Sequence, residues 1–563
     1  MFSGLRGCVL LGLFAFFTAA CASAIIWENG DVEHKWFVAK AWASFEFPGF
    51  PVNHHNLRWG MNLPAVAAIL AFGDSPLTYL LMQLAIFAAT SAMLFYLMRA
   101  VGGTWIALAA AGCWLAMPTT YFMASNLMPG LYSNFYLAAA LLLLYLAYSR
   151  NSWPLYTAAV VALFLTYGAK ETSVFFYPGL GLFELLRRRF DRLGILIGVS
   201  ALLLVAETLL TNVALQSLGV VGGRLQGILL GNHVDGMVEE FNFYRPVDLI
   251  TRWGFLNTTE IPSKFVYYGL FAASAYALWL WRRNRIAASA PASDMANREF
   301  VLAAAFLGLS FAFCTTFFVI SFDPFLPGQP LGDLYLWPLL APGFVVLSAG
   351  SLQAWLHAKR GGWVSAAAIS PALWRAGAAA IVVFVALAPA TRLGFRLLVE
   401  QTTREGFIHP YSAPGANRYF AQIRERLDAG CELVFASKRA AWSSLVFAYP
   451  YGHFVDPVAL YVRDLEGLYT RDGAQVRAVE VDAAAAASLS PRLPDLLHVQ
   501  SGPEGPATTL MVLRLERTDK AALCRTRYYL GHLDIHERDQ ALPVDSRSLV
   551  RAGSEGAGDG QGS

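Results

Sequence analysis

Three short stretches gather the side chains able to do chemistry. "GDVEHKW" (30–36) carries Asp31, Glu33, His34 and Lys35; "NHHNLRW" (53–59) carries His54, His55 and Arg58; "YGAKET" (167–172) carries Lys170 and Glu171. Carboxylates can take a proton from a hydroxyl, and guanidinium or ammonium groups can hold an anion. His34, His54 and His55 together with Asp31 and Glu33 could also hold a divalent ion. The plainer reading of the first two stretches is a solvated loop with its charges at headgroup level. For Lys170 and Glu171 it is an ion pair satisfied at a helix end. Yet these two stand at a corner between closely spaced apolar segments, where ionised groups are costly and tend to be functional. Brought to one face of a helical bundle, the clusters would make a site.

The elements that must position them are membrane spans. Hydrophobic residues make up 56% of the 563-residue chain and charged residues only 14%, against about 25% charged in a typical soluble domain. Mean hydropathy is +0.46. Runs near the roughly 20 apolar residues that cross a bilayer occur at about 7–26, 76–98, 104–118, 131–148, 153–169, 172–186, 194–218, 264–281, 299–320, 335–356 and 376–396. The sequence therefore predicts an all-α polytopic membrane bundle of about 11 transmembrane helices. "LPAVAAILAF" (63–72) is too short to cross and is expected along the interface. The net charge of +3 is nearly balanced and points to no nucleic-acid partner.

Arginine placement sets the expected orientation. Alternate connections carry Arg99, Arg150, "RRRFDR" (187–192), "WRRNR" (281–285) with Arg298, and "HAKR" (357–360) with Arg375. Short basic connections are cytoplasmic. The loop 28–75, the corner at 167–172, the loops 219–263 and 322–334, and everything after 397 are then external. The start of the chain, with a basic residue, an apolar centre and an Ala-Ser-Ala end, would also suit a cleaved signal peptide.

We divide the chain into a membrane module (1–396), a small external α/β domain (397–552) and a Gly-rich, disordered tail (553–563). "CELVFAS" (431–437) and "TTLMVLRLE" (508–516) read as strands. "NRYFAQIRERLDAG" (417–430) reads as a helix stopped by Gly430, and "VDAAAAASLSPRLPD" (481–495) as a helix followed by a loop. Cys8, Cys21, Cys113 and Cys314 fall in apolar runs and are expected to act as small buried hydrophobes. Cys431 and Cys524 are the two cysteines of the external domain, where a disulfide and a pair of buried thiols are the alternatives. No cysteine or histidine spacing suggests zinc.

Five pieces, in order over about residues 20–345, resemble the GT-C glycosyltransferases that use polyprenyl-phosphate sugars. The closest groups are the protein O-mannosyltransferases and the lipid A aminoarabinose transferases. The pieces are the external acidic motif "GDVE" (30–33); the H-x-x-x-R-x-x-x-x-x-P stretch from His54 to Pro64; "FGDSP" (72–76); "YGAKETSVFFYPGL" with its Lys-Glu pair; and the aromatic-Pro entry "LYLWPLLAP" (334–342).

The resemblance implies a multi-pass protein of a bacterial inner (plasma) membrane. Its partners would be membrane lipid, a polyprenyl-phosphate-linked sugar and an external acceptor (lipid, glycan or protein). Asp31 matches the family's leading acid and would be the general base, with Glu33 as its understudy. Arg58 and Lys170 would hold the donor phosphate as its charge grows, with Arg245 or Arg252 as weaker candidates. His54, His55 and Glu171 would contact substrate. Relatives commonly place a lysine shortly before the proline, where this chain has Asn62. No cofactor or resident metal is expected, although some branches of the superfamily use a divalent ion. The alternatives are a lipid-linked polysaccharide ligase or polymerase, a transporter without catalytic activity, and a non-catalytic scaffold. A transporter would carry more mid-span ionisable residues than the exceptional Glu207, and would show related halves.

Overall fold

The computed structural model describes residues 2–22, 31–46, 57–116, 126–214, 292–315, 337–360, 413–431, 433–435, 438–454, 476–482, 509–515, 527–530 and 533–536, with a few isolated positions besides. The helices are α1 (Phe2–Ala22), α2 (Asp31–Ala43), α3 (Trp59–Phe72), α4 (Pro76–Gly102), α5 (Thr104–Ala116), α6 (Pro129–Arg150), α7 (Trp153–Ala169), α8 (Phe176–Leu186), α9 (Phe190–Ala214), α10 (Ala292–Cys314), α11 (Leu340–Arg360), α12 (Ala413–Asp428) and α13 (Lys438–Ala448). Four of these contain stretches long and apolar enough to cross a membrane: Pro76–Gly102, Pro129–Arg150, Phe190–Leu210 and Asn297–Cys314. Most of the expected spans at 264–281 and 376–396 lies outside the described residues.

The chain divides into two compact units. One comprises Met1–Ala24, Pro51–Ala68 and Leu80–Gly394 and is helical. Within it α6 and α7 form an antiparallel pair. Proline opens both helices in the first turn, and Asn151 closes the first in the left-handed region at φ 48°. That arrangement suits both residues: an N-terminal proline loses no hydrogen bond, and asparagine tolerates positive φ. The run expected as one span at 172–186 is broken. Lys170 is extended (φ −146°, ψ 119°), and a 3-10 turn, Glu171–Phe175, precedes α8. At 11 residues, α8 reaches only about 16 Å, half the hydrocarbon thickness.

The other unit comprises Ile25–Phe50, Ile69–Tyr79 and Phe395–Ser563. Its sheet has the order β2-β3-β1-β4-β5, from β1 (Leu433–Phe435), β2 (Val476–Asp482), β3 (Thr509–Leu515), β4 (Arg527–Leu530) and β5 (Leu533–His536). β1 runs parallel to β4 and antiparallel to β3, with Val434 opposite Val512. The strands expected at 431–437 and 508–516 thus pair with each other. The helix expected to begin at Val481 is corrected at its start, because Val481 and Asp482 end β2 opposite Leu510 and Thr509. Position 483 onward in that stretch lies outside the described residues. α12 packs on α13, and Gly430 turns the chain at φ 87° between α12 and β1. Cys431 is disulfide-bonded, and its expected partner Cys524 lies outside the described residues. Cys8 is buried, but Cys113 is exposed on α5 and Cys314 is partly so, which corrects the expectation of burial.

The loop expected across 28–75 is largely helical. α2 has no glycine or proline to break it, and from Val32 to Ala41 every residue but His34 is buried. A helix covered on nearly every side shows no amphipathic period, so its sequence does not announce it. Phe37 packs on Tyr451 and Phe454, His34 on Trp442, and Trp36 on Tyr79.

Candidate functional site

Arg58 is the residue just before α3, and Glu171 opens the 3-10 turn after α7. Arg58 donates to Glu171 through Nε (3.1 Å to Oε2) and Nη2 (2.6 Å to Oε1). This is the planar two-point pairing that guanidinium and carboxylate geometry favours. The side chains are 12% and 16% exposed, so the pair lies at the edge of the helical unit. Lys170, one residue earlier, is buried. Arg58 therefore reaches the corner that holds Lys170 and Glu171 in the chain, where the carboxylate fixes the guanidinium plane.

The corner depends on close backbone approach between α3 and α7. A Cβ added at Gly60 would lie 2.6 Å from the Ala169 nitrogen and the Gly168 carbonyl carbon. One added at Gly168 would lie 2.5 Å from the Trp59 ring. Glycine is required at both places for steric reasons. Pro64 lies inside α3 and cannot supply the N–H that would bond the carbonyl four residues earlier. That carbonyl belongs to Gly60, and the Tyr136 hydroxyl donates to it at 2.9 Å. Trp59 Nε1 donates to Glu207 Oε1 at 2.7 Å, tying α3 to α9. The exceptional mid-span carboxylate thus anchors the helix that follows Arg58. Asn62 is fully buried in α3. On the other side of the corner, the Ser133 and Ser173 hydroxyls are 3.0 Å apart.

The carboxylates of the first stretch belong to the second unit. Asp31 is the first residue of α2, and its backbone alone is described. Glu33 and Lys35 are buried within the same helix. Burial on this scale removes the plain reading of a solvated loop for these two. Lys40, near the C-terminus of α2, lies 3.0 Å from Asp74 Oδ2 of "FGDSP". It also donates to the Val446 carbonyl and, at 2.9 Å, to the Tyr449 carbonyl. These carbonyls sit at the C-terminal end of α13, where helix carbonyls lack internal partners. Burial pushes Lys40 down and Asp74 up from their ordinary ranges, and their mutual attraction opposes both shifts.

His54, His55, Arg245 and Arg252 lie outside the described residues. Among the described residues no group of three or more His, Cys, Asp or Glu could hold a metal ion. The sequence reading missed the Lys40–Asp74 clamp and the Trp59–Glu207 bond. The available signal was a charged residue inside an otherwise apolar string, as in "FVAKAW" and "LLLVAETLL".

No protein-family model and no curated protein matches the chain. Among solved structures, it is similar to the crystal structure of ArnT from Cupriavidus metallidurans bound to undecaprenyl phosphate. The identity is 13%, the match covers 90% of this chain and 97% of that one, and the TM-score is 0.47.

Proposed function

We propose that this chain is a membrane glycosyltransferase that moves a sugar from a polyprenyl-phosphate donor to an acceptor outside the membrane. The observation that carries the reading is the Arg58 guanidinium held by Glu171, whose neighbour in the chain is the buried Lys170. Cations at the end of apolar helices suit a lipid phosphate, whose head must sit where its tail can remain in the bilayer. The five-piece resemblance supports the same reading from the sequence.

In the proposed reaction an acceptor hydroxyl attacks the anomeric carbon. The bond from that carbon to the phosphate oxygen breaks, and its electron pair leaves with the polyprenyl phosphate. Asp31 takes the hydroxyl proton, with Glu33 as the alternative carboxylate. Arg58 and Lys170 stabilise the charge that grows on the phosphate, while Glu171 keeps the guanidinium in place. His54, His55 and Arg245 are proposed substrate and phosphate contacts. No step is assigned to a metal.

The test compares, by mass spectrometry, surface glycolipids and glycoproteins of cells with and without this chain. Loss of one sugar substituent is expected and would name donor and acceptor together. Unchanged profiles in cells that normally produce the chain would overturn the proposal.

A further inference from the structure

A second feature lies at the other end of the helical unit. The Tyr132 hydroxyl contacts Met82 Sδ at 3.6 Å, and Tyr145 packs on Tyr96 with ring centroids 6.3 Å apart. These contacts make α4 and α6 run parallel, so Arg99 near the end of α4 is level with the end of α6. Ser133, beside the Lys170 corner, is about 20–25 Å away along α6 at 1.5 Å per residue. Here α1, α4 and α5 enclose a cavity of about 440 Å³, within the usual range for a ligand site. Leu10, Leu11, Phe14, Phe95, Leu108 and Leu115 line it. α1 touches α4 closely at Gly12, where an added Cβ would sit 3.3 Å from Ala92 Cβ. At Gly7 an added Cβ would sit 3.9 Å from both the Arg99 guanidinium and the Phe95 ring. The groove opens outward, with Leu10 66% exposed.

Arg99 and Thr104 give this apolar groove one polar end. Three other arginines at this end of the bundle are satisfied by protein. Arg187 and Arg189 pair with Glu299, and Arg192 bonds Asn151 and lies over the Tyr148 and Tyr156 rings. For Arg99 no carboxylate partner occurs among the described residues. Thr104 begins α5, so the first N–H groups of a 13-residue helix add positive potential beside the guanidinium.

We propose that this groove binds an anionic phospholipid, its phosphate on Arg99 and the start of α5, and one acyl chain along the α1–α5 lining. The charge complementarity selects the head, and the apolar walls accept the chain. This site is separate from the donor corner and does not depend on the glycosyltransferase reading.

The test is native mass spectrometry of the full-length protein titrated with phosphatidylglycerol or phosphatidylcholine of identical acyl chains. The wild type should retain phosphatidylglycerol about five- to tenfold more strongly, because phosphatidylcholine offers the same phosphate but its choline cation cancels the net charge, and one basic residue is worth about that factor toward an anionic lipid. Arg99→Gln should remove that preference, Arg99→Lys should keep most of it, and Arg150→Gln, at the exposed end of α6, should leave it unchanged. Gly7→Leu should weaken both lipids, because its Cβ starts in van der Waals contact with Phe95 and the Arg99 guanidinium and its branches fill the groove beside them. Three results would overturn the proposal: wild-type phosphatidylglycerol retention in Arg99→Gln, equal losses in Arg99→Gln and Arg150→Gln, or no lipid effect of Gly7→Leu. A dimer abolished by Gly7→Leu with lipid retention intact would assign the groove to a second copy and likewise overturn it.

Discussion

Replacing Lys40 by methionine keeps the length of the side chain and removes the charge that α2 presents to its neighbours. In the native fold that ammonium lies against the Asp74 carboxylate and the Val446 and Tyr449 carbonyls. Methionine leaves all three acceptors without it. Breaking a buried pair by deleting one partner costs about 3–5 kcal/mol. Both Asp74 carboxylate oxygens are buried too, so a loss of at least about 3 kcal/mol is expected. In a unit of about 200 residues this corresponds to a melting shift of roughly 6–12 °C. The assay is thermal unfolding of the purified protein in detergent, followed by tryptophan fluorescence and by proteolysis of the C-terminal unit. Adding Asp74→Leu to Lys40→Met should recover about half of the loss, because the uncompensated anion is gone while the two carbonyls still lack a donor. A single variant melting within about 2 °C of wild type would refute the reasoning, since that is less than 1 kcal/mol. Strict additivity of the two substitutions would refute the pairing itself. α2 begins at Asp31, so a loosened α2 should also lower transfer activity below the unfolding temperature.

Asp31→Asn should reduce sugar transfer by about 10²-fold or more, the usual scale of general base catalysis, with folded yield unchanged. Glu33→Gln should cost less, and wild-type turnover of Asp31→Asn would remove Asp31 from the mechanism. Arg58→Ala and Glu171→Gln should each weaken donor binding by about tenfold, or about 1.4 kcal/mol. Their effects in the double variant should be less than additive in a donor titration; additive losses would mean that Glu171 does not orient Arg58. Gly60→Ala should destabilise the protein by about 1–3 kcal/mol through overpacking, because its Cβ would meet the backbone of α7 at 2.6 Å; an unchanged melting temperature would contradict the close approach. Reporter fusions after Arg192 should read cytoplasmic and fusions at residue 450 external, and a cytoplasmic signal at 450 would defeat the proposed site.

The membrane character was legible because apolar runs such as those of α4, α6 and α9 follow from a length requirement alone. The two strands at 431–437 and 508–516 were visible through β-branched and apolar clusters, although their pairing was not, because register depends on partners distant in the chain. The Lys170 corner was legible as charge out of place in apolar surroundings. The Arg58–Glu171 bond was not, since nothing local states which of several cations a carboxylate will meet. Nor was α2. Its string "DVEHKWFVAKAWA" mixes charge and aromatics without a helical stripe, because the fold covers it on nearly every side and then satisfies Lys40 with an acid and two helix-end carbonyls. The sequence by itself determined which segments avoid water and which residue types could do chemistry, since both depend on the side chain alone. The tertiary structure decided which charges are buried, which are paired, and that glycine at 60 and 168 lets α3 reach α7. Those outcomes depend on distances between elements that no local sequence pattern encodes.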